Sequence, residues 1–446
     1  MAGKLLHLLP LVAYTSASTL YSSYKFNPLE HLGGIAPYFE PQDPPTSPDA
    51  PQGCTASRAA YLVRHAAIYA NDFDFEEYIE PFLEKLGNKT NLNWSKVPSL
   101  SFLADWDAPV SEAETSILTR VGRLEATQLG VDLEFRYPNL KLPQRVWTSS
   151  AERTYKSAQS LVRGLEIDDD TMNVVSIYES KESGADSLTP YKACPAYSSS
   201  AGSEQSGEFQ KKFATPITKR LNALASDFNF TVNDVFGMQQ LCGYETVIRG
   251  RSPFCDLDLF SPDDWLGWEY TEDIRYHYNV GYGNNVAPYV GMPWLNATAN
   301  LLMAETADED LYPGFGAAAD INATFPLDRI NYRRAWRSSN ILSFLSNIAI
   351  ERLNCTGSYG YEDGEYYRVL VNSSPQPLPD CADGPGTTCS RSGFETYIQD
   401  RVERFTGFSE QCGVEYDNST DVMSIYQDQS VGNGTTVGKR YTATFQ

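Results

Sequence analysis

The stretch "YLVRHAAIYAND", Tyr61 to Asp72, sets Arg64 and His65 at the end of a short apolar run. An imidazole beside fixed cations can attack phosphorus and hold the phosphoryl group covalently, which divides a slow hydrolysis into two easier steps. The charge of the transferring group rests on its equatorial oxygens, so further arginine donors are needed. A proton donor for the leaving oxygen completes the set. Arg153 is the second arginine in a suitable place. In "QRVWTSSAERTYKSAQSLVRGL", Val146 and Thr148 read as strand, and Tyr155, Ala158, Val162 and Leu165 recur at helical spacing. Ser149 and Glu152 have the spacing of a capping box. Arg153 then stands in the first turn of a helix at the carboxyl end of a strand, where open α/β sheets bind ligands and a helix N-terminus favours an anion. An Arg-His pair after a strand is ordinarily a surface ion pair, so this chemistry requires the two strand ends to be neighbours.

The elements that must position these residues are legible in outline. "AAYLVRH" is a buried strand, and order is expected to begin at Cys54. Phe75, Tyr78, Ile79, Phe82, Leu83 and Leu86 share one helical face, with a kink at Pro81, a stop at Gly87, and Asp72 or Asp74 as the cap. "SILTRVGRLEATQLGVDLEFRYP" is a second helix ending before Pro138. Helices and aromatic-rich loops between 167 and 284 predict an α-helical domain inserted into an α/β domain made of 54–166 and 285–446. "APYVGMPWLNATANLLM" and "GFETYIQDRVERF" read as helices, "SNIAIERLNC" and "YYRVLVNSSPQPLP" as strands. Residues 19–53, rich in Pro, Ser and Tyr, read as an extended arm lying on the body.

A formal charge of −22 over 446 residues repels nucleic acid and anionic membranes, so neither is an expected partner. Residues 1–18 have the charged, apolar, small-residue order of a secretory signal. Nine glycosylation sequons (Asn88, Asn93, Asn229, Asn296, Asn322, Asn354, Asn372, Asn418 and Asn433) and eight cysteines, an even number, agree with a secreted protein of the extracellular space or cell wall. The cysteines have no CxxC spacing and the four histidines are far apart, so disulfides are expected and a metal is not. Their connectivity is open. No G-x-S-x-G occurs, and Asn433 stands where a P-loop needs glycine. A carbohydrate-active site finds no carboxylate pair at a telling spacing.

From Cys54 to Cys412 the chain resembles the fungal secreted histidine acid phosphatases, the clade of branch 2 of the histidine phosphatase superfamily that contains the fungal phytases. The resemblance rests on Cys54 ahead of Arg64-His65, on "LTRVGRLEATQLGVDLEFRYP" and "WTSSAERTYKSAQSLVRGL", and on "DVFGMQQLCGYETVIRGRSPFCDLDLF", "WEYTEDIRYHYNVGYGN" and "RVLVNSSPQPLPDC". It implies a phosphoglycerate-mutase-like α/β sheet flanked by helices, with a mainly α-helical insert. It implies four disulfides, Cys54–Cys355, Cys194–Cys412, Cys242–Cys255 and Cys381–Cys389. It also implies hydrolysis of phosphomonoesters, phytate included, without a cofactor, through a phosphohistidine at His65 with Arg64 and Arg153 binding the phosphate.

The resemblance carries departures. In the pattern R-H-G-x-R-x-P, Ala66 replaces the glycine, Ile68 the second arginine and Ala70 the proline. A late His-Asp or His-Ala-Glu motif at a strand end, source of the proton donor, has no counterpart, since no histidine follows His277. The interval 312–336 reads as too short for that strand end and its helix. No general acid is assigned. Asp72 and Asp74 are read as helix caps, and Glu305, Asp308, Glu309 and Asp310 as a solvated loop. An active hydrolase and a catalytically impaired, anion-binding secreted glycoprotein both remain open.

Overall fold

A computed structural model describes residues 25–40, 44, 46–88, 92–165, 173–306, 310–316 and 325–427, with the backbone of 436–437. The secretory segment 1–18, parts of the arm, Asp308, Glu309 and the sequons at Asn322 and Asn433 lie outside the described residues.

The strands are β1 (Cys54–Val63), β2 (Arg145–Ser149), β3 (Asn173–Ile177), β4 (Leu311–Phe315), β5 (Asn347–Cys355), β6 (Gly364–Val371), β7 (Ser374–Gln376), β8 (Cys389–Ser390) and β9 (Thr436–Val437). They form one sheet in the order β7-β6-β5-β1-β4-β2-β3-β9, with β8 beside β6. Its centre, β1-β4-β2-β3, is parallel, and β5 runs antiparallel to β1. Ala59 to Val63 are all buried, as an apolar run covered on both faces must be.

The helices are α1 (Asp72–Asp74), α2 (Glu80–Asn88), α3 (Arg120–Arg136), α4 (Glu152–Gly164), α5 (Ser203–Leu224), α6 (Val232–Arg249), α7 (Pro262–Asn279), α8 (Ala287–Met303), α9 (Ser338–Ile341), α10 (Arg391–Arg404) and α11 (Phe408–Cys412). Two of them fix the site. Helices α3 and α4 approach backbone to backbone: a Cβ at Gly130 would lie 2.1 Å from the Leu161 carbonyl oxygen, and one at Gly164 1.9 Å from that of Thr127. The first turn of α3 is as close to the loop after β1, since a Cβ at Gly122 would lie 2.3 Å from the Ala67 oxygen.

The four disulfides join Cys54–Cys355, Cys194–Cys412, Cys242–Cys255 and Cys381–Cys389, the pairing the resemblance implies. The described part of the arm lies on the body with Leu32, Ile35 and Ala36 buried, but it is not extended throughout, since Pro28–His31 and Gly33–Ile35 are 3-10 turns. Its backbone is tied down where the Gly33 N–H donates to Ser339 Oγ at 2.9 Å and the Phe344 N–H to the Ala36 oxygen at 3.0 Å.

Several sequence expectations are corrected. The boundary at 167 falls too early, because β3 belongs to the sheet. The Ser149–Glu152 capping box does not form: Ser149 is the last residue of β2, its hydroxyl lies 2.8 Å from that of Thr154, and Ala151 is the N-cap. Asn71, not Asp72 or Asp74, caps α1 by accepting from the Asp74 N–H at 2.9 Å. Pro81 has no N–H for an i−4 bond, and the chain meets this with a π-helical turn, Phe75–Ile79, just ahead of α2. "YYRVLVNSSPQPLP" is a hairpin rather than one strand, turning at Asn372 and Ser373, which take φ of 47° and 64°. Asn372 is fully buried, accepting from the Asn347 N–H and donating to the Asn340 oxygen, both at 2.7 Å, so that sequon has no room for a glycan.

Candidate active site

The parallel centre of the sheet brings three strand ends together. Phe315 of β4 pairs with Val63 of β1 and Thr148 of β2, and the Gly316 N–H donates to the Val63 oxygen at 2.9 Å. The strand expected to be missing from the interval 312–336 is therefore present as β4. Its end carries Phe315 and Gly316, with no histidine or carboxylate among the described residues. Arg64 and His65 leave the sheet on one side of it, and Arg153 on the other, in the first turn of α4. Strands β1 and β2 are not adjacent, because β4 lies between them, but Arg153 is within electrostatic reach of His65.

His65 is oriented by its own loop. Nδ1 lies 2.9 Å from the Ala66 carbonyl oxygen, and a carbonyl can only accept, so Nδ1 carries the proton and Nε2 keeps its lone pair. The same loop is tied to α4: the Ala66 N–H donates to Ser157 Oγ at 3.0 Å, and Ser157 Oγ donates to the Arg153 oxygen at 2.7 Å. On the opposite side Thr119, the N-cap of α3, reaches the Ala67 oxygen with its N–H and its hydroxyl, each at 3.0 Å. Burial pushes the His65 pKa well down, and the Arg64 and Arg153 charges push it further, so the imidazole stays neutral into the acid range.

Arg64 donates through Nη1 to the carbonyl oxygens of Gly34 and Leu342, and its guanidinium stands 5.1 Å from the centre of the Phe344 ring. Burial lowers its pKa, while Tyr276, Tyr244 and Asp74 oppose that fall. Both Arg64 and His65 are half-buried and keep part of their surface accessible. Arg153 is half-buried, and its guanidinium makes no hydrogen bond or ion pair among the described residues, which leaves its donors free for an anion.

Ile68 is buried beside Leu118 on α3's approach, at 3 % exposure, and Ala66 and Ala70 are fully buried. Asp74 lies within electrostatic reach of Arg64 but is engaged, accepting from Tyr244 OH at 2.6 Å and from Asn71 Nδ2 at 2.7 Å. Glu305 is exposed, and Asp310 accepts from the Lys141 N–H at 3.3 Å, in keeping with a loop. Four residues at the site were missed in the sequence. Gly34 and Leu342 act through main-chain oxygens, Phe344 through its ring face, and Ser157 as a bridge; only Ser157, one helical turn after Arg153, was open to inference from spacing.

Residues 58–372 match the model of the histidine phosphatase superfamily (branch 2). Among curated proteins, the acid phosphatase PHO1 of Komagataella pastoris is 31% identical over 422 residues, 87% of each chain. The phytase PHO112 of Candida albicans is 28% identical over 443 residues, 91% of each chain. Among solved structures, the phytase from D. castellii superposes with a TM-score of 0.83 at 24% identity, covering 95% of both chains, a likeness of fold.

Proposed function

The chain belongs to the histidine phosphatase superfamily (branch 2), and from that premise we propose that it hydrolyses phosphomonoesters through a phosphohistidine at His65. One observation carries the reading: a neutral imidazole with Nε2 free, between two arginine charges, at the shared end of β1, β4 and β2. In the first step Nε2 attacks phosphorus, the P–N bond forms and the P–O bond to the alcohol breaks, while Arg64 and Arg153 hold the equatorial oxygens. In the second step water attacks the phosphohistidine, returns the Nε2 lone pair and releases orthophosphate. Among the described residues no carboxylate contacts His65, and the proposal takes the proton for the leaving oxygen from solvent. Good leaving groups and acid pH are then favoured. Export is part of the proposal. It is supported by the order of residues 1–18, by four disulfides that suit an oxidising compartment, and by the exposed sequons Asn88, Asn93, Asn229, Asn354 and Asn418.

The test is phosphate release from an aryl phosphate between about pH 2.5 and 7, with acid quenching to trap the phosphoenzyme. His65→Ala is expected to lose both release and label, a drop of about 1,000-fold or more. The glycine and phenylalanine at the end of β4 favour a second reading, an anion-binding protein without turnover. It predicts phosphate binding that Arg153→Ala abolishes and no release at any pH.

A further inference from the structure

Between the two clamp arginines runs an arc of tyrosines contributed from outside the sheet. Tyr191 lies within electrostatic reach of Arg153, and its ring centre is 5.4 Å from that of Tyr197. Tyr197 is within reach of Tyr276, and Tyr276 within reach of Arg64, which closes the arc. All three rings keep part of their surface accessible. Tyr197 is held by donating its hydroxyl to Asn279 Oδ1 at 2.5 Å.

The charges on this arc are already matched. Lys192 is ion-paired with Glu179, and the Glu179 N–H donates to Ser150 Oγ at 3.3 Å, which keeps the pair beside the start of α4. Arg275 lies 3.5 Å from Glu272, feels Asp74, and stands 5.2 Å from the ring centre of Phe73. Burial pushes the Glu272 pKa up to about 7, so in acid it is neutral and Asp74 balances Arg275. Among the described residues the arc and clamp together then hold four cations, Arg64, Arg153, Lys192 and Arg275, against two carboxylates, Asp74 and Glu179. Two net positive charges suit one phosphoryl group. A second phosphoryl group on the same substrate would meet compensated ion pairs on a chain of net charge −22.

We propose that this arc is the leaving-group subsite, and that it selects monoesters of uncharged, ring-shaped alcohols over polyphosphorylated substrates. Tyrosine rings supply flat apolar area with a hydroxyl at the edge, which fits an aryl or sugar ring and gives a polyanion nothing to bind. The inference rests on the reading of His65 as the phosphoryl acceptor.

Steady-state kcat/KM for phenyl phosphate and for inositol hexakisphosphate, at pH 5 and one ionic strength, tests it. The aryl ester is expected to be preferred by about 100-fold or more; equal or reversed values overturn the inference while leaving the hydrolase reading intact. Glu179→Gln, which uncovers Lys192, is expected to shrink that preference several-fold at low salt, and an unchanged ratio counts against the arc as subsite. If neither ester is turned over, the hydrolase reading fails instead. Calorimetric titration then decides the subsite: inositol hexakisphosphate is expected to bind no more tightly than orthophosphate, and a tenfold tighter fit overturns the selection.

Discussion

Replacing Gly34 by alanine should damage the site from outside the His65 and arginine clamp, through Tyr276 and the arm. The new Cβ would lie 2.2 Å from Tyr276 OH and 2.8 Å from Tyr276 Cζ, distances that real contacts do not sustain. Either the ring or the arm must move. The arm is bonded at Gly33 and at Ala36, so a shift between those points displaces the Gly34 carbonyl, one of the two oxygens that hold Arg64. Overpacking of this kind costs about 1–3 kcal/mol of stability. Withdrawing an acceptor from a buried guanidinium costs a similar amount, about 1–3 kcal/mol, which corresponds to roughly 5- to 150-fold in kcat/KM where the clamp acts in the transition state. The assay pairs thermal unfolding with aryl-phosphate kinetics for Gly34→Ala, Tyr276→Phe and the double variant. Removing the hydroxyl deletes the 2.2 Å contact and leaves the nearest atom at 2.8 Å, so the double variant should regain about half of the lost stability. Additive losses in the double variant would refute the steric reasoning. A fully active Gly34→Ala would refute the role given to the arm.

Stability should depend on pH through Glu272, whose pKa burial raises from an ordinary 4.5 to about 7. The folded state binds that proton more tightly than the unfolded state, so its stabilising contribution is complete below about pH 4.5 and is lost as pH rises through about 7. Melting curves across this window should show a smaller fall for Glu272→Gln than for the parent chain, and equal slopes would count against it. Glycopeptide mass spectrometry of the protein expressed through a eukaryotic secretory pathway should find Asn372 unmodified, because its amide is buried and bonded at both ends; an occupied site there would contradict the hairpin.

How much of this was legible in the sequence follows from where each signal is stored. The β1 strand and the α4 helix are written locally, as an apolar run closed by charge and as apolar residues at helical spacing, and they fold as read. The β4 strand was missed because "LYPGF" contains both Pro and Gly, residues that weaken a strand reading. It forms because β1 and β2 bracket it with parallel pairing on each side. The capping box failed for the opposite reason. The S-x-x-E spacing is present, but pairing with β3 carries β2 through Ser149, and the hydroxyl turns to Thr154 instead.

The arc of tyrosines lies beyond any local reading, since Tyr191, Tyr197 and Tyr276 stand on separate elements and share no periodicity. Only the packing of α7 against the arm, and the Cys194–Cys412 bridge that fixes the loop around Tyr197, brings them to the arginines. The same tertiary logic bears on the acid that the sequence could not supply. Arg64 sees Asp74, whereas among the described residues His65 feels the two arginines and the Ala66 carbonyl. In the proposed reaction the charge that develops on the leaving oxygen would then meet no fixed carboxyl group among the described residues. Under the proposed mechanism a dependence of rate on leaving-group pKa is the expected consequence, because Phe315 and Gly316, the described residues at the end of β4, carry no titratable side chain.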